Sequence, residues 1–176
     1  MAKKNDVIEV QTTLVDVQAR TLMDRVGDYL TEKDWNYSRF EDRDCLTFNL
    51  RLRDGSVRVF VDTWEGEGWS RILVYATYPT YVPTQRRQAV AEAIARINYV
   101  NILGGLEMDM NDGELRVRTT LEGDSFIGDE MIDRAISKSL DLADQYQAAL
   151  LSIAFGSAAP HDVLEMGARD DRTTMQ

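Results

Sequence analysis

Two hydrophobic periods take turns along this chain, one helical and one of strand type. Leu22, Val26, Tyr29 and Leu30, with Met23 beside them, predict a first helix over residues 16–33. Asp24, Arg25, Asp28 and Glu32 form its wet face. Upstream, Val7, Ile8 and Val10 fit a short strand or a helical extension equally well, and Trp35 and Tyr37 read as apolar anchors for the helix end. Leu46, Phe48, Leu50 and Leu52 then alternate with Thr47, Asn49, Arg51 and Arg53, which predicts a strand with one dry face. Asp54-Gly55 marks a tight hairpin turn. Val57, Val59 and Val61 return on one face, with Phe60 on the other. After the turn at residues 64–69, residues 71–78 are apolar on both faces, as expected of a central strand covered on both sides.

Pro83 suits the first turn of a second helix over residues 85–102, striped by Val90, Ala93, Ile94 and Ile97. Asn98 and Asn101 continue that stripe where an amide can satisfy loose carbonyls. Gly104-Gly105 stops it; no GK[ST] follows, so this is no phosphate loop. Leu106, Met108 and Met110 alternate with acids, the chain turns at residues 111–114, and Leu115, Val117 and Thr119 alternate with arginines. The expected register sets Met110 opposite Leu115, Asp109 opposite Arg116 and Glu107 opposite Arg118. A long helix over residues 129–155 carries Ile132, Ile136, Leu140, Ala143, Tyr146, Leu150 and Ile153 on its dry side, with Gly156 as its cap. Residues 157–176 show no period and are expected to be disordered, with local docking open to Val163, Leu164 and Met166.

The expected fold class is therefore α+β: helix, three-stranded antiparallel meander, helix, β-hairpin, long C-terminal helix. Residues 1–15 read as an extension, 16–156 as one domain and 157–176 as a tail. At 176 residues the chain can hold a core without metal or disulfide. Its one cysteine, Cys45, lies in a strand pattern and reads as a buried, inert thiol. A net charge of −10 argues against general affinity for nucleic acid or for anionic membranes. The N-terminus lacks a signal-peptide core, and the apolar stretch at residues 148–155 is too short to span a bilayer, so a cytoplasmic location is expected.

The run VPTQRRQAVAEAIARINYVNILGGLEMDMNDGELRVRTTL, with the late helix ending in AFG at Gly156, is similar to the YbjN domain family. Pro83, Asn98, Gly104 and Asp112-Gly113-Glu114 match that family's Val-Pro, helix-end Asn, Gly and Asp-Gly-Glu places. Met110-Asn111 departs mildly, standing where more turn-like residues are expected. The resemblance covers residues 16–156. It implies a fold like that of type III secretion chaperones and a dimeric, non-enzymatic role of the sensory-transduction-regulator type. It transfers no catalytic residue and no cofactor.

Glu107, Asp109, Asn111, Asp112 and Glu114 invite a calcium loop or a metal-dependent enzyme. A calcium loop begun at Asp109, however, needs glycine where Glu114 stands and glutamate where Thr120 stands. His161 is the lone histidine and sits in the tail beside Pro160, away from Cys45, so nucleophilic catalysis has no support. Arg51, Arg53, Arg58 and Arg71 with Tyr75 and Trp64 offer a basic-aromatic surface, for which pairing with local acids is the plainer account. Trp64, Trp69, Tyr75, Tyr78, Tyr81, Tyr146 and Leu150 are the expected anchors of a homodimer and of a protein or peptide partner.

Overall fold

A computed structural model describes residues 20–124 and 126–173, with side chains to residue 168. The extension 1–15, with Val7, Ile8 and Val10, and the first positions expected of the opening helix lie outside the described residues.

The first helix, α1 (Leu22–Glu32), starts where Thr21 accepts the Asp24 N–H at 3.1 Å, leaving that N–H no longer orphaned. The Thr21 hydroxyl donates back to the Asp24 carboxylate, and this bond leads the causes that hold the Asp24 carboxyl below its ordinary range. Trp35 then stacks on Phe48 at 5.4 Å between ring centroids, which brings the chain onto the sheet.

All six strands join one antiparallel sheet in the order β1-β2-β3-β4-β6-β5. They are β1 (Ser38–Arg39), β2 (Cys45–Arg51), β3 (Ser56–Gly66), β4 (Trp69–Tyr81), β5 (Gly105–Met108) and β6 (Glu114–Asp124). The expected meander and hairpin therefore merge, because β6 pairs along β4 from Trp69↔Asp124 to Thr77↔Arg116. The short edge strand β1 had no periodic signal to announce it.

Val57, Val59, Val61, Ile72, Val74, Ala76, Tyr78, Leu106, Leu115 and Val117 face inward and are buried. Against them lie α1, α2 (Arg87–Val100) and the long α3 (Asp129–Phe155), which crosses β4 and β6. The stripe expected on α3 is buried throughout. Ser139 of α3 donates to Thr119 of β6 at 2.7 Å, so this buried polar pair is satisfied.

Three expectations need correction. First, β4 is not covered on both sides: Ile72, Val74, Ala76 and Tyr78 are buried while Leu73, Tyr75 and Thr77 are only half-buried. Their shelter comes from neighbours on the same face, as where the Arg116 guanidinium lies 4.3 Å over the Tyr75 ring. Second, the hairpin register is shifted by two residues, to Met108↔Leu115 and Glu107↔Arg116, because the turn starts at Asp109. A shift of two preserves which residues face inward, so Glu107 still reaches Arg118, at 3.0 Å, while Asp109 does not oppose Arg116. Third, the segment expected as a disordered tail makes a 3-10 turn (Pro160–Asp162) and a helix, α4 (Val163–Thr173), packed on α3 and α2. Val163 is fully buried, and Gly167 meets the Tyr146 ring so closely that a Cβ there would strike it.

At the β5 edge, the Asn98 carboxamide donates to the Leu106 carbonyl and accepts the Leu106 N–H, each at 2.9 Å. Asn101 meanwhile donates to the Ile97 carbonyl at the end of α2.

Candidate interaction surface

Among the described residues, helices cover one face of the sheet and leave side chains available on the other. Cross-strand pairing orders it in rows: Thr47, Phe60, Tyr75 and Arg118, then Asn49, Arg58, Thr77, Arg116 and Glu107. Arginine planes lie on its rings, Arg58 at 5.0 Å from the Phe60 centroid and Arg116 over Tyr75. Arg58 also donates Nε–H to the Thr47 hydroxyl at 3.3 Å. Arg116 and Arg118 both pair with Glu107, and Arg116 reaches Glu114 at 3.5 Å. At the β3–β4 end, Trp64 and Trp69 stack with centroids 3.8 Å apart and stay 40% and 37% exposed.

The residues expected as interface anchors therefore separate. Trp64, Trp69, Tyr75 and the exposed Tyr81 remain on the surface along β3 and β4. Trp69 and Tyr81 are about 40 Å apart along β4, so they do not make one patch. Tyr78, Tyr146 and Leu150 are buried and are not surface anchors. Tyr78 belongs to the inward set of β4 and donates its hydroxyl proton to the Ala143 carbonyl at 2.8 Å; burial, then Asp144, raises its pKa. Tyr146 is covered by α4, and Leu150 lies on the buried side of α3.

Of the basic-aromatic group, Arg51, Arg58, Arg71, Tyr75 and Trp64 share the open face. Arg53 leaves it to pair with Asp144 of α3 at 3.1 Å. Stacking of a nucleobase needs a free ring face, and Phe60 and Tyr75 already carry guanidinium planes.

The acids of the 107–114 hairpin have local duties. Asp109 accepts from Asn111, Asp112 accepts the Glu114 N–H, and Glu107 holds the two arginines. The turn's carbonyls face a cation of the chain's own: the Arg87 guanidinium donates to Val82, Met110, Asn111 and Asp112 at 2.7–3.1 Å. A metal ion seeking those oxygens would meet that fixed positive charge. Among the described residues, no group of three or more His, Cys, Asp or Glu is placed to hold a metal.

His161 sits exposed on the 3-10 turn, 3.4 Å from Asp162. Cys45 is fully buried in β2. Burial, with a further push from the Asp62 carboxylate, carries its thiol pKa up to about 11. Folding thus favours the thiol over the thiolate. The stability this contributes is whole below the unfolded thiol's pKa of about 8.5 and is lost as pH rises toward 11. Native protein at pH 8 is expected to resist a disulfide-exchange reagent until denaturant is added. Immediate stoichiometric labelling of Cys45 would contradict this.

Two surface features lie outside what the sequence pattern predicts. One is the guanidinium-on-ring lattice, in which Arg58 stacks within its own strand and Arg116 reaches Tyr75 from a strand far along the chain. The other is the last turn of α2 and the loop that follows, where Tyr99 is 91% and Ile102 96% exposed. Its signal was available: residues 97–106 contain no charge in a chain that is 28% charged.

Comparison with family models matches residues 23–152 to YbjN, described as "putative bacterial sensory transduction regulator". The chain belongs to the YbjN family. The match runs from α1 nearly to the end of α3 and stops before α4. Among solved structures, the chain is similar to the crystal structure of YbjN from E. coli, described as "a putative transcription regulator". The two share 12% identity at a TM-score of 0.48, covering 85% of this chain and 94% of that one. A comparison with curated proteins finds no match. For this YbjN-family chain, no helix among the described residues is long and apolar enough to cross a membrane.

Proposed function

We propose that this YbjN-family chain is a non-enzymatic regulatory module that works in the cytoplasm by docking a protein partner on the open face of its sheet. One observation carries the reading. Among the described residues the helices all pack on one side, and the other side presents ordered arginines and half-buried aromatics with no layer above them. The family's description as a regulator supports it, as do the local duties of the hairpin acids.

The test is a photo-crosslinking residue at Thr77, in the middle of the open face, compared with the same residue at Arg134, exposed on α3. A discrete set of proteins captured at Thr77 and not at Arg134 is the expected outcome. Equal capture at both positions would overturn it. A homodimer would compete for the same face, because the apolar side of α3 is already buried. Light scattering at micromolar concentration is expected to separate the two uses. A mass of twice 20.0 kDa that falls to 20.0 kDa when Tyr75 and Phe60 become serine would make a second copy the occupant.

A further inference from the structure

The open face does not share the charge of the whole chain. The protein carries −10, yet the corner of the face near the β2–β3 turn holds Arg51, Arg58, Arg116 and Arg118 against Glu107, Glu114 and the Asp54 of the turn itself. Glu107 and Glu114 are committed to Arg116 and Arg118. Among the described residues Arg51 and Arg58 have no ion-pair partner. Arg58 and Arg116 lie in one row with Thr77 between them, so their backbones are about 10 Å apart. Their planes already rest on Phe60 and Tyr75, so much of the rotamer freedom that binding would remove is lost beforehand.

Arg58, held over the Phe60 ring and exposed, with the exposed Arg51 beside it across the strand pair, offers guanidinium groups that match carboxylates in both charge and planar geometry. We infer that this corner binds an acidic peptide segment of the partner, with carboxylates on Arg51 and Arg58 and its apolar contacts on Thr77 and Tyr75. The inference rests on the docking reading above and adds the partner's chemistry. Nucleic acid is the less suited polyanion, because the rings it would stack on already carry guanidinium planes.

The probe is a fluorescein-labelled deca-glutamate peptide, followed by anisotropy with the full chain. Deca-lysine and a single-stranded thymidine decamer are the comparisons. Saturable binding of deca-glutamate that weakens at least about tenfold between roughly 50 and 500 mM NaCl is expected. Replacing Arg51 and Arg58 together by serine should cost a further tenfold or so, with unchanged circular dichroism, whereas Arg134→Ser should change nothing. No saturable binding, equal binding by the double variant, or tighter binding of the thymidine decamer would each overturn the inference. Crosslinking at Thr77 in the double variant separates the two claims. Undiminished partner capture there would leave the docking face standing and remove its acid selectivity.

Discussion

Leu150→Ala is expected to lower the unfolding free energy by about 2–5 kcal/mol and to leave the oligomeric state untouched. Leu150 is 1% exposed on the buried side of α3, near the Tyr146 that α4 covers. Truncation there removes apolar contact and leaves a cavity that a close-packed interior fills only in part. For a chain of this length the melting temperature should fall by roughly 5–15 °C. Had Leu150 been an intermolecular anchor, the same change would lower affinity and spare the monomer. Urea unfolding and light scattering on one preparation distinguish the two. A loss under about 1 kcal/mol with dissociation of a dimer would refute the core placement.

Gly113→Ala should be at least as damaging, at about 3 kcal/mol or more, from a change of one methyl group. Gly113 has φ +89°, where an L side chain costs about 1–2 kcal/mol from backbone sterics alone. Its added Cβ would also land on the Val82 carbonyl oxygen, and 2.9 Å from the Val82 nitrogen. Those groups are not free to yield. Val82 N–H donates to the Gly113 carbonyl at 2.9 Å, and the Val82 oxygen holds the Arg87 guanidinium that gathers the turn. The turn would therefore separate from the start of α2, and amide exchange should rise first around residues 109–114. A melting temperature within a degree or two of wild type would show that the clamp is unimportant.

Much of the fold was legible because burial follows periodicity. The bounds of α3 and its dry stripe came out as expected, since a 27-residue helix samples its period many times. Leu106, Met108, Leu115, Val117 and Thr119 face inward as expected although the register differs, while Met110, expected beside them, is 55% exposed in the turn. Alternation reports parity, and a slip of two residues leaves parity unchanged. The same rule would have separated Tyr78 from Tyr75 before any coordinates, since Tyr78 shares the parity of Ile72, Val74 and Ala76. Grouping the aromatics by type, and not by strand face, placed Tyr78 at an interface, while Tyr146 and Leu150 belong to the dry stripe of α3 that the core already uses.

The remainder was hidden for physical reasons. Only Val163, Leu164, Met166 and Gly167 of α4 inform on its packing, too few to show a period, and a glycine within a helix weakens local propensity. Strand β1 is two residues long. The stacking of Arg58 on Phe60 is a contact between near neighbours on one strand. That of Arg116 on Tyr75 exists only because β6 inserts beside β4, a pairing that no local pattern encodes.

Asn98 has a consequence for how other molecules can approach. By taking both main-chain groups of Leu106, its side chain imitates the strand that would otherwise come next, and the ladder ends there. A visitor cannot lengthen the sheet at that residue by zipping on a new strand, and stray copies lose a template for fibrous growth. At this edge, contact is left to side chains, which read identity, and not to backbone pairing, which ignores it.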